Sequence, residues 1–213
     1  MHIWNGLLGV VEVVDFDTGK ILSRLAVGDD PVLALFDPAQ LERPNVGRDL
    51  YMRLGRPRGG VVPGSDRWAY YVPTVQSGFL KRIDLSGQSP QIVRKGEEAY
   101  EDLDVRAAAA SDRAGALCVK VKGKPDGATF EKSAVIRIFD TFNVKPQGEV
   151  SLSIGNCDRL ETSRDGKYLY ALDREQARIG VVEIATGREV KVLDNVGPVP
   201  VAVLALPETP SGE

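Results

Sequence analysis

A chain of 213 residues that is 43% hydrophobic and 27% charged carries enough apolar material for one sizeable domain or two small ones, and it is not a disordered polymer. A net charge of −3, with lysines and arginines scattered along the chain, offers no basic field for gathering phosphates, so nucleic acid is not an expected partner. No apolar run approaches the ~20 residues of a membrane helix, and Met1–Val14 is too short, too polar and too poor in basic residues for a secretory signal.

The chain opens on a short strand, His2-Ile3-Trp4-Asn5, and reaches a β-branched run, Val13-Val14-Asp15-Phe16, that ends in an acidic residue. Thr18-Gly19 follows, a turn in which glycine supplies a positive φ, and the alternating strand Ile21–Val27 folds back on the first. The region that comes next reads either as a long functional loop or as the remnant of a shrunken unit whose first strand is Val32–Phe36. That segment is followed by Asp37–Gly60, where Pro38, Pro44, Pro57 and the arginines Arg43, Arg48, Arg53, Arg56 and Arg58 interrupt any strand pattern.

Beyond that insertion the pattern recovers. Gly64-Ser65-Asp66-Arg67 is a polar turn before the aromatic strand Trp68–Val72, and Leu80–Gly87 repeats the hairpin with Asp84 at the strand end. Glu97–Asp104 is the best helical candidate and the most acidic stretch, read as a solvated loop before binding a cation or a basic partner is considered. Arg106–Ala110 reads as an inner strand of small side chains. Ser111–Gly115 with Ala116–Val119, then Val135–Asp140 with Thr141, form a third copy. The fourth is Ser163–Lys167 with Tyr168–Leu172, then Val181–Glu183, the turn Thr186-Gly187-Arg188 and the strand Glu189–Leu193.

Each unit is thus strand, acidic turn, strand, loop, strand, glycine turn, strand. This is the four-stranded antiparallel meander of a β-propeller blade, and the unit spacings resemble blade repeats of ~40–50 residues with one large insertion. The predicted fold is all-β, with four to five blades in a single domain over 1–206 and a flexible tail over 207–213. Val199–Leu206 resembles a missing first strand that pairs with the N-terminal strand and closes the ring.

These units resemble the YVTN-type β-propeller repeat. Asp165-Gly166-Lys167, Tyr168-Leu169-Tyr170, Thr186-Gly187-Arg188 and Val27-Gly28-Asp29-Asp30-Pro31 stand where that family has its Asp-Gly-Lys turn, Leu-Tyr-Val strand, Thr-Gly-Lys turn and Val-Gly-x-x-Pro link. The resemblance is good in the first and last units, fair in the middle ones and absent over Asp37–Gly60. It implies a scaffold similar to lactonase-like propellers and to the heavy chain of amine dehydrogenases, in a periplasmic or extracellular setting, although the chain as given shows no signal peptide. Family members usually have about seven blades, so this chain is either a shortened ring or a piece of a larger one.

Reactive chemistry is scarce. The only histidine, His2, sits at the chain start, away from any partner that could build a Ser-His-Asp arrangement or a histidine metal site. Cys118 and Cys157 match no metal-ligand spacing; they could form one bridge in a secreted protein, and they read as separate reduced structural cysteines. Asp66, Asp112 and Asp165 recur in one turn and Asp15, Asp84, Asp140 and Glu183 in another, so they read as turn-closing groups before a carboxylate pair or a calcium site. Gly59-Gly60 lacks the lysine and helix of a phosphate loop. Trp4, Trp68, Tyr70, Tyr71 and Tyr168 read as filling between blades rather than stacking on a ligand.

The resulting expectation is a non-catalytic scaffold, with no catalytic residue, metal or cofactor, that binds a protein partner or forms one subunit of a larger assembly. Its contact residues are Arg43, Arg48, Arg53, Arg56 and Arg58, because long loops on rigid scaffolds concentrate function. The alternatives are a redox-associated subunit similar to the amine dehydrogenase heavy chain and a metal-dependent lactonase-like hydrolase.

Overall fold

The computed structural model describes residues 1–5, 9–28, 59–74, 77–87, 89–123, 125–126, 129–130, 133–197, 200 and 202. Among them there is no helix, and seventeen strands are distributed over antiparallel sheets. The chain is all-β, and its main sheets have the meander form of propeller blades. It divides into two compact units: one holds Met1–Val105 with Phe142–Val144, the other Arg106–Thr141 with Lys145–Glu213.

The first unit begins with β1 (His2–Asn5), β2 (Val10–Val14) and β3 (Ile21–Ala26), a three-stranded sheet in that order. Its second sheet is a full meander of β4 (Gly59–Pro63), β5 (Trp68–Pro73), β6 (Gly78–Asp84) and β7 (Gln91–Tyr100). Val11, Val27, Ala69, Tyr71 and Ile83 pack one core between these sheets, with Trp4 and Leu25 against it. The ring of Trp4 meets that of Tyr71 edge to face, with centroids 5.9 Å apart. Trp4 and Tyr71 are therefore packing residues, as their place in the strand pattern implies.

The second unit carries the meander of β8 (Leu103–Ser111), β9 (Ala116–Val121), β12 (Val135–Asp140) and β13 (Pro146–Ser151), with the start of β8 counted in the first unit. A short ribbon of β10 (Pro125–Asp126) and β11 (Thr129–Phe130) is inserted between β9 and β12. The last meander is β14 (Arg159–Thr162), β15 (Tyr168–Asp173), β16 (Arg178–Glu183) and β17 (Arg188–Leu193). Cys118, Ile136, Ile138, Leu152, Cys157, Leu169 and Val182 lie in the core of this unit.

The burial of each strand follows its place in the meander. A middle strand is covered on both faces, so β5 is apolar almost throughout, with Tyr70 and Val72 fully buried. The last strands of two meanders, β7 and β17, meet water and carry Arg94, Lys95, Glu97, Arg188 and Lys191, whereas the first strands β4 and β8, also at a sheet edge, are largely buried. Charges on such edges also oppose pairing with another chain.

The Glu97–Asp104 helix does not form. Its residues lie at the end of β7, in the connection at 101–102 and at the start of β8. Eight residues are too few to stabilise a helix in isolation, and register with β6, where Gly78 pairs with Tyr100 and Phe79 with Ala99, supplies backbone partners that a lone helix lacks. The Arg106–Ala110 inner strand does form, within β8 at the edge of its sheet. The expected Val32–Phe36 strand and the ring-closing strand at Val199–Leu206 fall outside the described residues.

Candidate functional site

The repeated acidic residues act locally. Asp15 Oδ1 accepts the amides of Asp17 and Thr18, at 3.1 and 2.8 Å, and the Thr18 hydroxyl at 2.8 Å. Asp84 Oδ1 accepts the amide and hydroxyl of Ser86, at 2.9 and 2.6 Å, while its Oδ2 accepts Arg67 Nη2 at 3.0 Å. Glu183 accepts the Thr186 hydroxyl at 2.7 Å. Hydrogen bonds to the ionised form favour it, so the Asp15 carboxyl lies below the usual range because of Thr18, and that of Asp84 far below it because of Arg67 and then Ser86.

The other repeated turn is closed by serine more than by aspartate. Ser65 Oγ accepts the Arg67 and Trp68 amides, Ser111 Oγ accepts the Ala114 amide, and Ser163 Oγ accepts the Tyr168 amide. Asp165 joins in by accepting the Ser163 hydroxyl at 2.6 Å and the Lys167 amide at 3.0 Å, which lowers its carboxyl pKa. Asp66 and Asp112 share the position, but the side chain that recurs as acceptor is the serine two residues ahead of Asp165 and one ahead of Asp66 and Asp112. The recurrence of Ser65, Ser111 and Ser163 carries that signal in the sequence, beside the more conspicuous acidic residues.

Other sequence candidates are also placed. His2 lies on β1 opposite Val13, with its imidazole pKa lowered by partial burial and by the N-terminal ammonium. Cys118 and Cys157 are free thiols in the second unit's core, and burial pushes Cys118 up to about 12, far from a reactive thiolate. Gly59 and Gly60 are glycines for packing: a Cβ on Gly59 would stand 2.6 Å from the Tyr71 ring and one on Gly60 2.8 Å from Val105. The contact arginines Arg43, Arg48, Arg53, Arg56 and Arg58 all lie outside the described residues.

Among the described residues of the first unit, cations lie on aromatic rings on both faces of β5–β7, an arrangement that no local sequence pattern announces. Arg82 lies with its guanidinium 3.7 Å over the Trp68 ring and 5.5 Å from that of Phe142. Arg67 covers Trp68 at 4.5 Å and is held by Asp84. Across the strands Arg82 stands directly opposite Arg94, and Lys81 opposite Lys95, two like-charged pairs in succession. Lys81 relieves its charge by donating to the Val27 carbonyl and lying 5.3 Å from the Tyr71 ring, and Lys95 by lying 3.8 Å from the Phe79 ring. Arg94 is 4.0 Å from Glu97.

Phe142 is 75% exposed and projects from the turn between β12 and β13. That turn repeats the Asp15–Gly19 geometry, since the amides of Asp15 and Asp140 donate to the carbonyls of Lys20 and Lys145 respectively, five residues on in each case. Where Gly19 and Gly187 take φ of 67° and 62°, the equivalent residue here is Val144, at φ 53°. A β-branched residue in the left-handed region is strained. Val144 is nonetheless only 2% exposed, and its carbonyl packs where a Cβ on Gly96 of β7 would lie, 3.5 Å away. The strained turn is thereby seated on β7, with Phe142 above Arg82.

No family model matches the chain, and no curated protein sequence matches it. A solved structure titled Kuenenia stuttgartiensis Hydrazine Synthase resembles it with a TM-score of 0.54 at 17% identity, over 90% of this chain and 44% of that one. The chain thus spans less than half the length of that neighbour, and the likeness is one of fold.

Proposed function

We infer that this chain is a non-catalytic β-propeller scaffold of the YVTN-repeat type that binds a protein partner or forms one subunit of a larger assembly. The observation that carries the reading is the use made of its acidic repeats. The carboxylates of Asp15, Asp84 and Glu183, which would otherwise be candidates for acid–base or metal chemistry, are engaged in closing their own turns. What the scaffold presents outward is guanidinium and aromatic surface, the side-chain types enriched where binding energy concentrates in protein interfaces.

The arginines Arg43, Arg48, Arg53, Arg56 and Arg58 form the first contact segment in this reading, since the repeat leaves them without a structural duty. Affinity purification of the tagged chain from its native cells is expected to recover a stoichiometric partner, and replacing the five arginines with glutamine should release it without lowering the melting temperature. Recovery of a lone chain, with no partner under gentle lysis, would overturn the scaffold reading. A copurifying small subunit with visible absorbance would redirect it to the redox-associated alternative.

A further inference from the structure

We propose that the cluster of Arg67, Trp68, Arg82 and Phe142 is a second docking surface, and that it takes an acidic segment of a protein partner. The proposal deepens the partner-binding reading and rests on it. Its centre is Arg82. The Nε of this residue is buried and makes no hydrogen bond, and among the described residues no carboxylate pairs with its guanidinium. A guanidinium stacked on indole keeps its full charge and its planar fork of donors, which match a carboxylate in bidentate geometry. The residue directly across the strand pair is Arg94, itself 4.0 Å from Glu97, so the position opposite Arg82 holds a second cation instead of a neutralising acid.

The remaining members define what else the partner carries. Phe142 offers an exposed ring beside the cation, so a carboxylate flanked by an apolar side chain fits better than a bare anion. Arg67 already has Asp84, and its side chain is 58% exposed, so it supplies rim attraction and steering more than buried pairing. Val144, two residues on, is only 2% exposed and anchors the turn that carries Phe142, so the ring already stands 5.5 Å from Arg82 before any partner arrives, which lowers the ordering cost of binding.

The test uses the full chain with Trp4→Phe, so that Trp68 is the only tryptophan, and fluorescein-labelled short poly-L-glutamate as probe. Saturable binding at low salt, weakened at physiological salt and accompanied by a change in Trp68 emission, is expected. Arg82→Gln should weaken it by more than about tenfold, and Phe142→Ser by a smaller but measurable factor, since polyglutamate offers the ring only its methylenes. Phe142→Ser alters an exposed ring, and an unchanged melting temperature separates loss of binding from loss of fold. Absence of saturable binding, equal binding by wild type and both variants, or tighter binding of oligothymidylate than of polyglutamate would each overturn the proposal. If polyglutamate fails to bind while a native partner still copurifies, this surface is wrong and the scaffold reading stands; if polyglutamate binds and no partner is recovered, the reverse holds.

Discussion

Val144 holds the backbone conformation of Gly19, four residues after the acidic strand end in both turns, although valine has no natural tolerance for it. The left-handed region costs an L-residue about 1–2 kcal/mol, whereas burying a valine side chain returns about 1.5–3 kcal/mol. Val144 is retained at a net gain that depends on its side chain being buried, at 2% exposure.

This balance inverts an ordinary order of substitutions. Gly is usually worse than Ala within regular structure by about 0.5–1 kcal/mol. At this turn Val144→Ala loses burial and keeps the strain, while Val144→Gly loses burial and relieves it. Urea denaturation is expected to place Val144→Gly above Val144→Ala by about 1 kcal/mol. The usual order, with alanine the more stable, would show that the turn is not strained.

Two glycines separate strain from crowding. Gly19 has φ 67° and open space where a methyl group would stand, so Gly19→Ala should cost only the conformational term of about 1 kcal/mol. Gly166 has φ 77°, and a Cβ there would stand 2.9 Å from the Ala114 amide and 3.0 Å from Ser111 Oγ, in the neighbouring sheet of the same unit. Backbone cannot yield as a flexible side chain can, so Gly166→Ala should cost about 2–4 kcal/mol in the same assay. Equal losses would mean that the two turns do not pack as described.

The acidic turns set the acid limb of the pH–stability curve. The carboxyls of Asp15, Asp84 and Asp165 are all lower in the folded chain than in an unfolded one. Their contribution is therefore present above the unfolded value of about 4 and is lost as pH falls from there through the folded values. Melting temperatures measured from pH 7 down to pH 2 should fall below about pH 4, and Asp84→Asn should begin lower at pH 7 and fall less. An identical slope for wild type and Asp84→Asn would remove Asp84 from this account.

Glu161, on β14, has the opposite sign. Partial burial raises its carboxyl, so the folded chain holds a proton there more tightly than the unfolded one and stability declines as pH rises through that value. Glu161→Gln should raise the melting temperature at pH 7 and leave it unchanged near pH 3. A lower melting temperature at pH 7 would show that the ionised carboxylate is stabilising.

The thiols provide a direct measure of core integrity. Cys118 and Cys157 are both fully buried, so Ellman's reagent should titrate neither in the native chain and both in denaturant without reductant. Rapid native labelling of either would place it outside the core, and failure of both to label after unfolding would indicate a disulfide.

Much of the fold was legible because blade strands advertise themselves locally. The alternation in Ile21–Val27, the two-sided apolar run Trp68–Val72 and the glycine turns at Gly19 and Gly187 each encode a strand or a reversal within a few residues. The conversion of Glu97–Asp104 to strand was not legible, since it is decided by pairing with β6, a partner the segment itself does not contain.

The amino-acid order by itself determined the strand–turn alternation, the fourfold use of one hairpin and the local closure of its acidic turns, because those depend on side chains reaching their own backbone. Only the tertiary structure decided that Val144 would stand in for a turn glycine, that Arg82 would lie between Trp68 and Phe142, and that Arg82 would face Arg94. Phe142 and Arg82 are sixty residues apart in the chain, and no local pattern records a contact that exists only once a distant turn is seated on the sheet.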